Sequence, residues 1–217
     1  MSSERLGIAM EAQDQANPKL RQILDGARAR FLELGYEGVS MDAIGRRAGV
    51  SKATLYNYFA DKRALFAAVV DRECQAQAEK IFVLGVTEGP TESALRAIAR
   101  HYLEFLLSPV ALNLFRIVVA ECPRFPRLGR TFWESGPDLG TRRLAQFLAI
   151  AVGRGDLEID NLELAANQFT ELCKADLFYR CLLGVAETPS EPVRGHYADA
   201  AVDTFVRAYG ARAASSG

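Results

Sequence analysis

The run Lys52-Ala53-Thr54-Leu55-Tyr56-Asn57-Tyr58 holds the side chains best suited to chemistry in this 217-residue chain. Leu55 and Phe59 lie four apart, on one face of a helix. That leaves Lys52, Thr54, Tyr56, Asn57 and Tyr58 to face outward. A lysine, a hydroxyl, an amide and two tyrosines on one short helix suit the DNA major groove. The groove admits a single helix, and such side chains reach base edges and phosphates. Lys52, Thr54, Tyr56 and Asn57 are therefore candidates for base contacts. Tyr58 and Lys62 are candidates for phosphate contacts, with Ser40 and Arg47 as further backbone candidates. The local charge agrees: Ser40 to Arg63 holds five basic residues against two acidic ones.

The elements that must position this run are marked by their ends. Asn17-Pro18 opens a helix, with Pro at the first helical position. Leu20, Ile23, Leu24, Ala27, Phe31 and Leu34 form its apolar stripe, and Gly35 stops it. Ser40 caps a short helix with Met41, Ile44 and Ala48 turned inward. Gly49 ends that helix in a left-handed conformation, Val50 fills the turn, and Ser51 caps the reading helix. Asp61 caps a long helix predicted from Lys62 to Leu84. The expected organisation is a flexible arm over 1–16, a three-helix helix-turn-helix module over 17–63, a larger helical domain over 64–210 and a tail over 211–217.

The run Ile23 to Phe66 resembles the DNA-binding domain of the TetR family of bacterial transcriptional regulators. The words that carry the likeness are FLELGYEGVSMDAI and then GVSKATLYNYFADKRALF. A looser likeness links FRIVVAECPRFPRLGRTFWESGP and GRGDLEIDNLELAANQF to the ligand domain of the AcrR/AefR-like branch. The resemblance implies an all-α fold, in which the DNA-binding module is joined by a long helix to a larger ligand-binding and dimerisation domain. It also implies double-stranded operator DNA, a second copy of the chain and a small-molecule effector as partners.

Composition limits the other classes. Net charge is −1, so the chain is not basic throughout. Residues 18–64 hold nine basic and five acidic residues, whereas 65–217 hold 16 basic and 19 acidic. The positive charge sits where phosphate contact is expected. Cys74, Cys122, Cys173 and Cys181 form no CxxC or paired-His spacing, so no metal or other cofactor is indicated. They read as reduced thiols of a cytoplasmic protein, with Cys122 in a Pro- and Arg-rich turn as the one open to redox chemistry. An enzyme is not indicated: His101 and His196 stand alone, and no phosphate-cradling loop or nucleophile elbow appears. No apolar run approaches the ~20 residues of a membrane span.

Beyond the first module the periodicity predicts helices over Thr91–Leu107, from Ser108-Pro109 to Glu121, from Leu128 to Arg154 with a break at Gly136-Pro137, over Asn161–Leu183, and after Thr188. Capping-box spacing points to Asp160 and Thr188 as caps of the last two. Phe82, Tyr102, Phe105, Phe115, Phe132, Trp133, Phe169 and Cys173 are candidate walls of an effector cavity. Arg116 and Glu121 are candidates for orienting a ligand's polar end. The penultimate helix carries apolar residues on more than one face, which points to cover by a second subunit. Phe178, Leu182, Tyr197, Ala201 and Phe205 are the candidate dimer contacts. The expected function is a repressor released by a small apolar or aromatic molecule. The alternative is a constitutive DNA-binding regulator whose C-terminal core is filled.

Overall fold

Asn17 caps the first helix of the described chain: its side-chain oxygen accepts from the Leu20 amide at 3.0 Å. The helix α1 follows at Pro18–Leu34 and closes on Gly35, which sits at φ 70°. The computed structural model describes residues 17–83 and 89–211, with side chains excepted at 77–83. The expected arm over 1–16, the loop near Gly85 and the tail beyond Ala211 lie outside these residues. Ten helices fill the described chain: α1, α2 (Met41–Ala48), α3 (Lys52–Tyr58), α4 (Lys62–Val83), α5 (Thr91–Leu106), α6 (Pro109–Glu121), α7 (Pro126–Ser135), α8 (Pro137–Gly153), α9 (Leu162–Leu182) and α10 (Glu191–Tyr209). The only extended pairing among them is a single antiparallel bridge between Leu157 and Gly210. The fold is all-α.

The chain forms two compact units. The first runs to Cys74 and also takes in Asn113–Trp133; the second holds Gln75–Leu112 and the chain from Glu134 onward. The expected boundary at 63/64 differs from this division in both respects. The first core is built on Ile23, Phe31, Ile44, Leu55, Leu65 and Phe66, all at most 1% exposed. Phe66 meets Phe31 edge-on at 4.8 Å and Tyr36 at 5.2 Å. Leu114, Val118 and Leu128, from much later in the chain, join the same core. Two ion pairs tie α1 to α4: Arg72 to Asp25 at 2.7 Å and Arg28 to Glu73 at 2.8 Å.

In the second unit α10 packs on α5 and α9, and α8 on α9. Arg96 of α5 reaches Glu92, Asp199 and Asp203, and Arg100 grips both oxygens of Asp199 at 3.0 and 2.8 Å. Burial works against the Asp199 carboxylate, but these arginines hold its pKa below the usual range. The Gly136-Pro137 break splits the expected long helix into α7 and α8. Two expected caps move. Asn161, not Asp160, caps α9 and accepts from the Leu164 amide at 3.0 Å. Glu191 opens α10 with Ser190 at its cap and Pro192 in the first turn, while the Thr188 hydroxyl donates to the Leu107 carbonyl at 3.3 Å. Asp156 accepts from the Thr91 hydroxyl at 2.6 Å, at the start of α5.

One residue in α9 departs from helical geometry. Ala175 has φ 34° and ψ −131°, which divides α9 at a kink. A β-carbon is strained there, and strain of this kind costs on the order of 1–3 kcal/mol. Glycine has no such conflict. Ala175→Gly is therefore expected to raise stability by about 1 kcal/mol, which at this size is roughly 2–4 °C in a thermal melt. An unchanged or lower melting temperature would argue against strain at this position.

Candidate nucleic-acid interface

The turn between α2 and α3 is set by local bonds. Ser40 Oγ accepts from the Ala43 amide at 3.2 Å, and Ser51 Oγ from the Thr54 amide at 3.0 Å. Gly49 adopts φ 63°, and the Val50 amide returns to the Gly45 carbonyl at 3.0 Å. These bonds satisfy helix-end groups that would otherwise need water, and they fix the angle at which α3 leaves α2. Leu55, fully buried, anchors α3 to the core. The α1 backbone lies so close to α2 that a β-carbon added at Gly26 would meet Ala48 Cβ at 2.8 Å.

With Leu55 inward, Lys52, Tyr56, Asn57 and Tyr58 are exposed together on α3. Thr54 is half-buried and shares a 2.7 Å hydrogen bond with the Ser51 hydroxyl. The Tyr58 hydroxyl donates to Asn17 Oδ1 at 3.1 Å. Lys52 Nζ lies 3.0 Å from Asp42, a hydrogen bond that holds its pKa above the ordinary lysine value. Ser40 and Arg47 are exposed on the neighbouring α2. Lys62 is the most restrained of the expected set. Its ammonium donates to the Tyr36 carbonyl at 2.8 Å, lies 4.3 Å from the Tyr36 ring centre and sits 3.8 Å from Glu37. Two of the expected cations thus rest on carboxylates of their own unit, and a phosphate must compete with those carboxylates for them. The Tyr36 phenol is pushed up to about 12, first by burial and then by the nearby Glu121 charge.

Two features escaped sequence reading. Arg46 is exposed beside Arg47, and both line a shallow groove with Gln22, Asp25 and Gly26. Charge counting found Arg46, but only the packing of α1 on α2 shows the groove. Arg124 joins the first unit through Glu37 at 3.1 Å. No local signal could reveal that contact, since the two residues are far apart in sequence.

The candidate effector residues fall in two groups. Phe115, Arg116, Glu121, Phe132 and Trp133 belong to the first unit; Tyr102, Phe105, Phe169 and Cys173 belong to the second. The Phe82 side chain lies outside the described residues. Phe115 meets Phe132 edge-on at 5.6 Å. Arg116 donates to Asn113 at 3.0 Å. Glu121 is buried, and its Oε2 has no hydrogen-bond partner among the described residues. Trp133 is 59% exposed. Phe169 and Cys173 are closed in, with Phe169 edge-on to Phe205 at 5.1 Å. Burial pushes the Cys173 thiol up to about 12 and raises the Tyr102 phenol as well. A thiol held protonated in this way is a poor nucleophile and a poor redox sensor.

The candidate dimer contacts need correction. Phe178, Ala201 and Phe205 are buried in the subunit's own core, so their side chains offer no surface to a second copy. Leu182 and Tyr197 are half-buried. The exposed apolar residues of this region are Leu164, Tyr179, Leu183, Val185 and Val193. No single helix among the described residues is long and apolar enough to cross a membrane.

Comparison with known proteins matches both parts of the chain. Residues 23–69 match the family described as bacterial regulatory proteins, tetR family. Residues 93–211 match the C-terminal domain of AefR-like transcriptional repressors. A solved structure described as the flavonoid-responsive regulator FrrA is 38% identical, with 91% of this chain and 100% of that one covered, at a TM-score of 0.76. A TetR-family transcriptional regulator from Mesorhizobium loti MAFF303099 is 29% identical, covering 89% of this chain and 97% of that one, at a TM-score of 0.84. The HTH-type transcriptional repressor AcnR of Corynebacterium glutamicum is 31% identical over 81 residues, which span 37% of this chain and 43% of that repressor. The chain therefore matches less than half the length of that curated relative.

Proposed function

Because the chain belongs to the TetR family of bacterial regulatory proteins, we propose that it represses transcription as a dimer on a two-fold operator and is released by a small apolar or aromatic molecule. The coarser part needs no proposal: the chain is a transcriptional regulator and not an enzyme. A regulator of this kind works in the cytoplasm, where the chromosome lies.

The exposed face of α3 reads base edges through Lys52, Thr54, Tyr56 and Asn57. Tyr58, Lys62, Ser40 and Arg47 hold the backbone and set the register. One such helix reads too few base pairs for genomic specificity, and two-fold symmetry doubles the site. The last two helices supply the dimer surface through Leu164, Tyr179 and Leu183, flanked by Leu182 and Tyr197. Exposed apolar side chains at both ends of α9 support that assignment.

The observation that carries the effector reading is the end-to-end likeness to a regulator described as flavonoid-responsive. Flavonoids are planar aromatics, and the ten candidate residues include seven aromatic rings. The closed packing of Phe169 and Cys173 favours the alternative, a constitutive regulator without an effector. A pair of titrations separates the two. A flavonoid panel is titrated into free protein and into the complex with a duplex that the protein selects from a random pool. A coupling of ~1–3 kcal/mol makes the effector bind the complex roughly 5–150-fold more weakly, and linkage requires the same factor in the operator affinity. Equal affinity in both titrations, for every flavonoid that binds, leaves the constitutive reading.

A further inference from the structure

Arg124, in the turn between α6 and α7, and Arg127 and Arg130 of α7 belong to the DNA-reading unit. Asn113 to Trp133 holds four arginines and one acid, inside a stretch that is otherwise acidic. Its inner face is used for packing. Leu114, Val118 and Leu128 enter the first core, and Phe125 lies 6.4 Å from Tyr36, with the Arg63 guanidinium 4.7 Å from its ring centre. Arg124 pairs with Glu37 at 3.1 Å, and the other oxygen of Glu37 lies 3.8 Å from Lys62 Nζ. Arg124 and Lys62 therefore meet on one carboxylate. That carboxylate sits in the α1–α2 turn, three residues before Ser40, the cap of α2.

On α7, Arg127 and Arg130 are three residues apart and exposed, on the side opposite Leu128 and Phe132. Neither has an ion-pair partner among the described residues. A structural arginine normally shows an acid, a carbonyl or a ring beside its guanidinium. Among the described residues these two show none, and Arg127 follows Arg124, which meets Lys62 on Glu37, by three residues.

We propose that Arg124, Arg127 and Arg130 form a second phosphate-contacting surface, which engages the DNA backbone flanking each half-site. The proposal rests on the DNA-binding reading above. The sign of the charge fits phosphate, and the guanidinium fork matches phosphate oxygens two at a time. Each contact releases condensed counterions, so it contributes to affinity and to its salt dependence without reading sequence. Glu37 limits this surface at rest, because it holds Arg124 and Lys62 against itself.

The test uses the full chain and a duplex selected by the wild-type protein from a random pool. The duplex is made in two forms, trimmed to the half-sites or extended by ten base pairs on each side. Selection of a defined duplex by the wild type tests the DNA-binding reading; the flanks test this proposal. Wild type is expected to bind the extended form more tightly. In Arg127→Gln/Arg130→Gln that gain disappears, affinity for the trimmed form is kept, and the salt slope becomes shallower by about one unit for each phosphate no longer neutralised. Glu37→Gln is expected to move the other way, with tighter binding and a steeper slope on the extended form. The proposal is overturned if wild type gains nothing from the flanks, or if the double variant keeps both the gain and the slope. An equal loss on both duplexes with an unchanged slope overturns it too, since that is the mark of a merely structural role.

Discussion

Phe205→Glu is expected to leave no folded second unit, rather than a folded monomer. Phe205 is fully buried, edge-on to Phe169 at 5.1 Å and 4.8 Å from the Tyr209 ring. Removing a buried phenylalanine costs about 3–5 kcal/mol from lost transfer energy and the cavity left behind. A carboxylate in its place must either stay charged without a partner or take up a proton, at a cost of further kcal/mol. Together these approach the ~5–15 kcal/mol that holds a whole domain folded. The expected result is insoluble protein, or a melt with no cooperative transition for this unit. Leu183→Glu is the contrasting variant. Leu183 is 75% exposed, so its replacement leaves the core intact and tests dimerisation by itself. Sedimentation should show a folded Leu183→Glu protein with weakened self-association. A soluble, fully helical Phe205→Glu monomer would show that this side chain faces a partner after all.

The second large effect is expected from the smallest possible substitution. At Gly26 an added methyl would sit 2.8 Å from Ala48 Cβ, 2.9 Å from its Cα and 3.0 Å from its amide nitrogen. Two of these three atoms are backbone, so no side chain can rotate away. Alanine is the better helix former by ~1 kcal/mol, which taken alone predicts stabilisation. The overlap opposes this with about 1–3 kcal/mol and is relieved only by moving α1 away from α2. That movement also shifts α3, because the turn bonds at Gly49 and Val50 fix α3 to α2. Gly26→Ala should therefore lower the urea midpoint and weaken operator binding by tenfold or more. Ala48→Gly in the same chain should restore part of both, a coupling that a double-mutant cycle reads directly. A single variant with a raised midpoint and wild-type affinity would show that the two helices separate freely.

The first three helices were legible because their signals are local. Ser40, Gly49 and Ser51 each act within four residues, and their roles follow from residue type alone. The same reasoning slipped where two neighbours can do one job. Asp160 and Asn161 are both good caps, and only the path of the incoming loop selects Asn161. At α10 the expected cap was Thr188, and the helix starts after Ser190 instead. Periodicity also shows that a helix face is apolar without naming its cover. Phe178 and Phe205 were therefore expected to meet a second subunit, although their own subunit encloses them. The return of Asn113–Trp133 to the first unit has no sequence mark, because Phe125 and Tyr36 recognise each other only through packing. For the same reason the candidate effector residues were expected in one domain and are divided between two units.

That return has a consequence for how the protein is made. The ribosome releases the helices that read DNA long before it has made Leu114, Val118 and Leu128, which complete their core. At about 5–20 residues per second, translation leaves a wait on the order of seconds. During that wait Tyr36 lacks the Phe125 ring and the core lacks three of its buried side chains, a state open to chaperones and proteases. A nascent chain therefore gains a finished reading head only after Trp133 has been added and has cleared the exit tunnel. A transcript cut short after Cys74 would encode all three helices of the reader but not the residues that finish its interior.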